Sequence, residues 1–565
     1  MICGCGRRKR SRRNRKKEAT SLKRLICIIV LAGMLLSGCA VVDVGLHKSE
    51  TVAVETTYAE PRPDRQVKEG FGLVYVPEYG FNPYDCLCIT NRPVLSLVYE
   101  SLFVIGPTFQ PEPVLCDRFA VSEDEKTYVI TLLPGVTFSD GSPLTADDVV
   151  ASLRAAMDSD YYGSRFSKVA SITAEAEDKL IINLTTAYED LPLLLDVPIV
   201  KSGTQTSPRP LGTGPYIFDA RQDEEGKLLS LSLRRNESWW QQKLPPVDYQ
   251  QITLTAAERP SLIRDSFEFG DTSLICADLN APASVGYRCD YELWDCPTTI
   301  MQYLGFNLGA GMFSSHTLRS AVTWIIDRDS ICSSIYKGFA VPACLPCAPG
   351  SPFYDQELAA GYAYNEGAFL GAMSEVNVDE NYVGSILVCS SDPSRTELAY
   401  RIVQALEPYG LKLEVRAVDR ETYLKRLQGG LFDMYIGEVR LSGNFDLTEF
   451  FKPYGALGYG GTQSGNLEQL CYASLENSGN AYDLNKAVMD GGYICPILFK
   501  SYAVMASRGV ISNLQPAVDC VFHLSGGRTL ADASATYEEL TSDPDAPEDP
   551  GEEEDQENTT EEDVP

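Results

Sequence analysis

The alternation of apolar and polar residues is clearest between residues 125 and 157. Apolar and polar side chains alternate along 128–132, which is the period of a half-buried strand. Pro134-Gly135 predicts a type II turn, because proline presets the first central φ and glycine adopts the positive second one. The alternation resumes at 136–138 and predicts a second short strand, and Asp140-Gly141 predicts the turn that ends it.

A helix is predicted directly after this turn. Thr145 is a suitable N-cap, and Asp147 and Asp148 fall in the first helical turn, where the helix dipole favours carboxylates. Apolar residues recur every four positions from 149 to 157, so one face of the helix is predicted to be buried. Further along, 172–184 predicts two strands joined by a turn.

The second half of the chain alternates between the two periods. Strands are predicted at 386–389, 411–415 and 432–436, and helices at 396–406 and 421–428. Strands separated by helices of this length favour βαβ units and a parallel sheet. The pattern therefore predicts an α/β protein, and 565 residues are enough for two or three lobes.

The N-terminus resembles a lipoprotein signal peptide. Residues 7–24 carry eleven bases and one acid, and residues 25–36 form an apolar run that is short for a membrane span. The sequence Leu-Ser-Gly-Cys at 36–39 resembles a bacterial lipobox. That resemblance implies removal of 1–38 and lipidation of Cys39; the alternative is a chance cysteine after a signal anchor.

Charge is distributed unevenly along the chain. The net charge is −30, and fourteen acids and no base lie between Glu538 and Asp563. So acidic a surface repels phosphate backbones and argues against nucleic-acid binding. We expect 39–67 to be a flexible tether and 531–565 to be an acidic disordered tail, because neither segment shows a sustained apolar period.

Three segments together resemble one protein family. They are TLLPGVTFSDGSPLTADDVVASL at 131–153, LGTGPY at 211–216 and LRSAVTWIIDR at 318–328. They are similar, in this order, to signatures of the extracytoplasmic solute-binding proteins of ABC importers that take peptides, oligopeptides or nickel. The resemblance extends over roughly residues 70–525.

The resemblance implies a class II periplasmic-binding-protein-like fold with two α/β lobes and an additional subdomain inserted in lobe I. It places the ligand between the lobes. The implied segments are lobe I at 68–112 and 205–301, the inserted subdomain at 113–204, lobe II at 302–495 and a return to lobe I at 496–530.

Candidate ligand contacts follow from the family position of the segment GEVRLSGNFDLTEFF at 437–451. Glu438 stands where the family carries a tryptophan, and Asp446 keeps a family aspartate. A buried ligand amine needs a carboxylate, so we expect one of these two acids to bind it. Arg440 is the candidate for a ligand carboxylate, and Tyr79 and Asn82 are candidates from lobe I.

Catalytic motifs are absent from the sequence pattern. His316 and His523 have no second histidine at metal-ligand spacing, and no serine stands in a nucleophile elbow. Cys344-Leu345-Pro346-Cys347 is compatible with a redox or zinc role, but no second pair accompanies it. We therefore expect no enzyme activity, no metal and no cofactor.

The function implied by the resemblance is that of a receptor at the extracytoplasmic face of the bacterial membrane. It would be a monomer that delivers its ligand to an importer's permease and ATPase subunits. Two alternatives stay open at this point. One is a surface lipoprotein hydrolase with a triad or metal formed by distant residues, and the other keeps the fold but binds a nickel chelate or a signalling peptide.

Overall fold

The structure is a computed structural model that describes residues 70–241, 247–280, 286–379, 381–511 and 513–542. The predicted signal peptide, the tether and its Cys39, and tail residues 543–565 lie outside the described residues. In the parts described, no helix has the length and apolar character needed to cross a membrane.

Seventeen strands are present in the described residues. They are β1 Phe71–Tyr75, β2 Phe103–Ile105, β3 Pro111–Pro113, β4 Cys116–Val121, β5 Thr127–Leu132, β6 Val169–Ala174, β7 Lys179–Leu184, β8 Tyr216–Gln222, β9 Leu228–Arg235, β10 Gln251–Ala256, β11 Leu274–Ala277, β12 Tyr291–Phe306, β13 Ala340–Pro342, β14 Val383–Cys389, β15 Lys412–Val418, β16 Met434–Arg440 and β17 Ile494–Ser507.

Fourteen α-helices accompany them in the same residues. They are α1 Arg92–Val98, α2 Ala146–Met157, α3 Pro260–Glu268, α4 His316–Ile325, α5 Arg328–Ser334, α6 Gln356–Ala360, α7 Glu366–Met373, α8 Pro393–Leu406, α9 Arg420–Gln428, α10 Thr448–Phe451, α11 Gly465–Glu476, α12 Ala481–Asp490, α13 Leu530–Ala533 and α14 Tyr537–Thr541.

Two long antiparallel strands, β12 and β17, belong to both lobes. Their register runs from Tyr291 opposite Ser507 in lobe I to Gly305 opposite Ile494 in lobe II. The spatial order of the large sheet is β15-β14-β16-β12-β17-β11-β1-β10-β9-β8, and β13 pairs with β17 beside this path. The predicted lobe boundaries after residue 301 and before residue 496 fall inside these two strands.

Apolar residues cover both faces of the sheet in lobe II. Leu387 and Tyr435 belong to one buried cluster, and the neighbouring Ile386, Val388 and Ile436 belong to another. Successive residues of a strand point to opposite faces. The parallel strands β14 and β16 are therefore buried on both sides, which is typical of sheets covered by βαβ helices.

The inserted region contains a separate four-stranded antiparallel sheet in the order β4-β5-β7-β6. Thr145 and Asp148 form a reciprocal capping box at the start of α2, as the helix signal predicted. The predicted strand at 136–138 is wrong, because Thr137 makes only an isolated bridge with Pro143. Two backbone hydrogen bonds close this short turn, from the Phe138 N–H to the Ser142 carbonyl and from the Leu144 N–H to the Val136 carbonyl.

The C-terminal helices α13 and α14 differ from the prediction of a disordered tail that begins at residue 531. Thr529 and Thr536 each start a helix with a capping box. The Ala535 N–H then donates to the Phe119 carbonyl at the edge of β4, at 2.9 Å. Asp532 and Glu539 therefore serve as helix caps in a segment ordered against the inserted subdomain.

The glycine-rich signature at 211–216 packs against the end of α1. The Gly214 N–H donates to the Val98 carbonyl at 3.0 Å, and the Gly212 carbonyl accepts from the Ser139 N–H at 3.0 Å. A Cβ on Gly212 would lie 2.1 Å from the Val98 carbonyl oxygen. Only glycine permits this approach to α1. The Ser139 hydrogen bond also joins two of the family-like segments, those at 131–153 and 211–216.

A buried carboxylate lies beside this contact. Glu100 accepts hydrogen bonds from the indole N–H of Trp239 at 3.1 Å, the indole N–H of Trp240 at 2.8 Å and the Thr213 hydroxyl at 2.8 Å. Burial raises the pKa of Glu100 to about 7, although these three donors act in the opposite direction. Glu100 thus joins the end of α1 to the segments around 213 and 239.

The third family-like segment, at 318–328, ends in a helix cap and a buried arginine that donates to backbone carbonyls. The Asp327 side chain caps α5 by accepting from the Ser330 N–H at 2.9 Å. Arg328 is buried and donates to the backbone carbonyls of Thr323, Ile326, Ala343, Tyr362 and Pro496. This arginine therefore fixes the backbone of lobe II.

The Gly212 contact predicts a large effect of one methyl group. Gly212→Ala should lower the free energy of unfolding by at least about 2 kcal/mol, because the neighbouring group is backbone and cannot move aside cheaply. Gly371→Ala is the matched control, since a Cβ there meets nothing within 4 Å in helix α7. It should stabilise by about 0.5–1 kcal/mol. Equal denaturation midpoints for the two variants would contradict the assignment.

The buried Glu100 predicts a pH dependence of stability. Its pKa rises from 4.5 in the unfolded chain to about 7 in the folded one, so the folded state binds the proton more tightly. Stability from this group is full below pH 4.5, falls as the pH rises to 7 and is constant above that. The difference in unfolding free energy between the wild type and Glu100→Gln should fall by about 3 kcal/mol over this window. Urea denaturation at several pH values measures it, and a constant difference would refute the assignment.

Candidate functional site: charged clusters between the lobes

The loops that follow the parallel strands of the two lobes meet beside β12 and β17. In lobe I, β1 runs parallel to β10 and β11, and in lobe II, β14 runs parallel to β15 and β16. The Ser394 hydroxyl after β14 donates to the Asn280 carbonyl after β11, at 3.2 Å, so the two sets of loops are in contact. Ligands of open α/β sheets bind at the carboxyl ends of strands.

An arginine cluster occupies one part of this contact. We use the name for six side chains from both lobes, the inserted subdomain and the C-terminal return: Arg92, Tyr161, Arg165, Asp196, Arg440 and Asp519. Arg92 donates to the Asp519 carbonyl at 3.0 Å and to the Tyr161 hydroxyl at 3.3 Å. Arg440, from lobe II, pairs with the Asp519 carboxylate and donates to Tyr502 at 3.0 Å.

The arginine cluster is electropositive. Arg165 pairs with Asp196 at 2.5 Å, so three arginines face two aspartates and the net charge is +1. Burial opposes ionisation of Asp519, but Arg440 and Arg92 outweigh it and lower its pKa. Burial also raises the pKa of Tyr161, yet Arg92 and Arg440 more than offset this and lower it overall. A tyrosine shifted in this direction indicates an excess of positive charge.

An acidic cluster adjoins it along β16 and β17. We use the name for Asp278, Asp392, Arg395, Glu438 and Lys500. The Lys500 ammonium lies 2.7 Å from Asp278 of lobe I and 3.5 Å from Glu438 of lobe II. Arg395 pairs with Asp392 at 3.1 Å. Three carboxylates face two cations, so the net charge here is −1.

Glu438 of lobe II contacts Lys500 within the acidic cluster. Its carboxylate accepts from the Gln302 amide of β12 at 2.7 Å. Burial works against its ionisation, but Lys500 and Arg395 outweigh burial and lower the pKa. The Glu438 side chain keeps 25% of its surface exposed, whereas Lys500 keeps 6%. Glu438 is therefore ionised, and part of its side chain is accessible to solvent.

Asp446 lies elsewhere, where lobe II meets the inserted subdomain. Its carboxylate accepts from the Thr448 N–H at 2.8 Å and from the Thr448 hydroxyl. Burial raises its pKa, and these bonds act in the other direction. The neighbouring Asn444 donates to the Tyr188 hydroxyl of the inserted subdomain at 2.8 Å. Asp446 thus stands at the start of α10, apart from both clusters.

The two lobe I candidates lie in the loop after β1. Tyr79 is 51% exposed. The Asn82 amide donates to the backbone carbonyls of Gln205 at 2.6 Å and Ser207 at 3.1 Å. Its own oxygen accepts from the Tyr84 N–H at 3.0 Å. Asn82 therefore makes these hydrogen bonds to backbone groups outside lobe II. Of the five predicted residues, only Glu438 and Arg440 belong to the clusters.

The family model of bacterial extracellular solute-binding proteins, family 5 (middle), matches residues 110–460, which is more than half of the chain. This protein belongs to that family. The predicted recognition is therefore confirmed, and the chain is a solute-binding protein.

Relatives and solved structures agree with this placement. The glutathione-binding protein GsiB of Salmonella paratyphi A is 22% identical over 62% of this chain and 69% of its own length. The ABC transporter substrate-binding protein CtaP of Listeria monocytogenes superposes with a TM-score of 0.67 at 18% identity, over 80% of this chain and 98% of that one. AppA of Bacillus subtilis, an oligopeptide-binding protein in complex with a nonapeptide, gives 0.57 at 16% identity, over 80% and 98%. The likeness confirms the predicted two-lobed α/β fold.

Sequence analysis of this solute-binding protein missed most members of the clusters. Two of them carry a local signal. Arg92 opens helix α1, where the helix dipole disfavours a cation. Lys500 interrupts the otherwise apolar start of β17. Arg165, Asp278 and Asp519 carry no such signal, because ordinary surface loops contain the same residues.

The described residues of the solute-binding protein offer little catalytic chemistry. His316 contacts the Asp490 carbonyl at 2.5 Å, and His523 pairs with Glu112 at 3.2 Å. Within the described ranges, no three metal-ligating side chains lie close enough to hold an ion. Cys344 and Cys347 are free thiols, and burial raises the pKa of both.

Proposed function

We propose that this solute-binding protein captures short peptides between its lobes and delivers them to an ABC importer. One observation carries the proposal: two charged clusters of opposite net sign lie side by side in the contact between the lobes. A free peptide presents an ammonium group at one end and a carboxylate at the other. Such a ligand complements both clusters at once.

The spacing of the clusters suits a small zwitterion. Glu438 and Arg440 are two residues apart on one strand, so their Cα atoms are separated by about 7 Å. Both side chains point to the same face of the sheet. A ligand ammonium near Glu438 and a ligand carboxylate near Arg440 would bring each cluster to neutrality. Buried charges are tolerated only when they are paired in this way.

The contacts rank the five candidate residues. Glu438 is the preferred partner for the ligand amine, because its side chain is a quarter exposed and belongs to the acidic cluster. Arg440 is the partner for the ligand carboxylate, by charge-assisted hydrogen bonds. Asp446 orders the loop that follows their strand β16. Asn82 orders a loop of lobe I, and Tyr79 stands on the exposed part of that loop.

The relatives support a peptide ligand. GsiB is named for glutathione, and the AppA structure holds a nonapeptide. Both ligands are peptides of very different length.

The remaining parts of the proposal concern location and partners. We place the mature protein at the extracytoplasmic face of the membrane as a monomer, held there by lipid on Cys39. Two acyl chains on that cysteine suffice for stable anchoring. The permease and ATPase subunits of an importer would receive the ligand. The protein acts by binding and lobe closure, not by catalysis.

The ligand assignment predicts a difference between two acids. Glu438→Gln should weaken binding of a trialanine probe by roughly 30-fold or more, because a buried amine would lose its carboxylate. Asp446→Asn, the matched control, should change affinity by less than about threefold. Calorimetric titration measures both, with mass spectrometry of co-purified ligands beside it. Equal affinities in both variants would move the amine elsewhere, and no peptide binding by the wild type would overturn the proposed function.

The anchoring assignment predicts the fate of the Cys39 variant. Cys39→Ala should shift the protein from the membrane fraction to the soluble fraction, or leave it attached through an uncleaved signal. Cys27→Ala, in the predicted signal peptide, is the control and should stay membrane-bound. Immunoblots of fractionated cells and mass spectrometry of the N-terminal peptide distinguish these outcomes. A wild-type Cys39 without lipid would refute the anchor.

A further inference from the structure

A cavity of about 140 Å³ lies directly behind the arginine cluster. It is partly open, and its walls come from helix α1, strand β2 and its neighbours, the inserted subdomain and the C-terminal return. Arg92, Tyr161 and Asp519 line it on the side of the cluster. The same three residues surround Arg440 of lobe II, so the cavity adjoins the place proposed for the ligand carboxylate.

The rest of the cavity wall is mixed, with a contribution from apolar side chains. Leu95, Val104, Ile105, Val518 and Phe522 contribute hydrocarbon surface.

Three polar side chains on that wall, Ser96, Ser101 and Glu100, already have partners. The Ser96 hydroxyl donates to the Pro93 carbonyl at 3.2 Å, and the Ser101 hydroxyl donates to the Phe103 carbonyl at 2.5 Å. Glu100 receives its three donors from the Trp239, Trp240 and Thr213 side chains. These three side chains therefore need no hydrogen bond from a ligand side chain in the cavity.

The volume fits one side chain. A dry protein cavity of about 150 Å³ is large enough for a benzene-sized guest. Burying a phenyl or branched aliphatic group there would remove apolar surface from water without leaving a polar group unpaired. A charged side chain would lose its hydration, and the one carboxylate that the described residues place on the wall outside the cluster, that of Glu100, already accepts from three donors.

We propose that this cavity is a specificity pocket for the apolar side chain of the ligand residue that bears the carboxylate. The inference rests on the proposed peptide function and refines it to short peptides with a large apolar C-terminal residue. The carboxylate lies among Arg92, Arg440 and Tyr161, and the side chain next to it enters the cavity. Lobe closure then covers both.

Two isomeric peptides test the proposal. Ala-Ala-Phe and Phe-Ala-Ala have the same composition and charge, and differ only in which end carries the ring. Calorimetric titration of the wild type should give at least tenfold tighter binding for Ala-Ala-Phe. Equal or reversed affinities would overturn the pocket while leaving the peptide function standing. Failure of both isomers and of Ala-Ala-Ala to bind would overturn the proposed function itself.

Substitutions that fill the cavity provide a second test of the proposed pocket. Ser96→Leu places a larger apolar group in the cavity. Ser333→Leu makes the same chemical change at an exposed position of α5. Ser96→Leu should bind the two isomers within about threefold of each other and retain Ala-Ala-Ala binding. Ser333→Leu should keep the wild-type preference. If Ser96→Leu fails to fold, Val104→Phe fills the same cavity from β2. A filled variant that keeps the preference would refute the pocket.

Discussion

The antiparallel ladder between β12 and β17 is the constraint on which the rest of the architecture depends. It continues from lobe I into lobe II, with a register shift between Pro297 and Met301 at the crossing. The Thr298 hydroxyl donates to the Lys500 carbonyl at 2.7 Å within this irregular stretch. Because both half-sheets are hydrogen-bonded to the same two strands, the carboxyl ends of their parallel strands are brought to one place. A single ladder thus positions loops that are distant in sequence.

This placement buries charged side chains between the lobes, and ion pairs within the two clusters compensate most of that charge. Arg92, Arg440 and Lys500 are mostly withdrawn from water, where an isolated cation is costly. Each has a carboxylate within ion-pair distance, and Asp519 and Lys500 each serve two partners. The compensation is complete for the pairs but leaves one residual charge of opposite sign in each cluster. The two clusters therefore differ in the sign of their net charge. The proposed zwitterionic ligand would bind in one orientation for this reason.

The family-like segments turn out to describe the frame of the binding protein. Gly212 permits backbone contact, Glu100 ties three segments of lobe I, and Arg328 binds carbonyl groups in lobe II. Arg92 and Asp519, which meet between the lobes, stand outside the three segments. The segments by which the family is recognised thus contain packing residues, and most of the charged cluster residues lie outside those segments. The departure of the loop at 437–451 from the family pattern fits this division.

The sequence by itself determined the strand at 128–132, the capped helix after it and the βαβ alternation of lobe II, because those signals are local and agree with one another. It also singled out Glu438 and Arg440, through their place in a family pattern. The helices at 530–541 escaped prediction, since their capping boxes lie in a segment whose acidic composition favours disorder. Only the tertiary structure decided which charges meet. Arg92 and Asp519 are 427 positions apart, and their contact depends on long-range pairing of β-strands that no local period records.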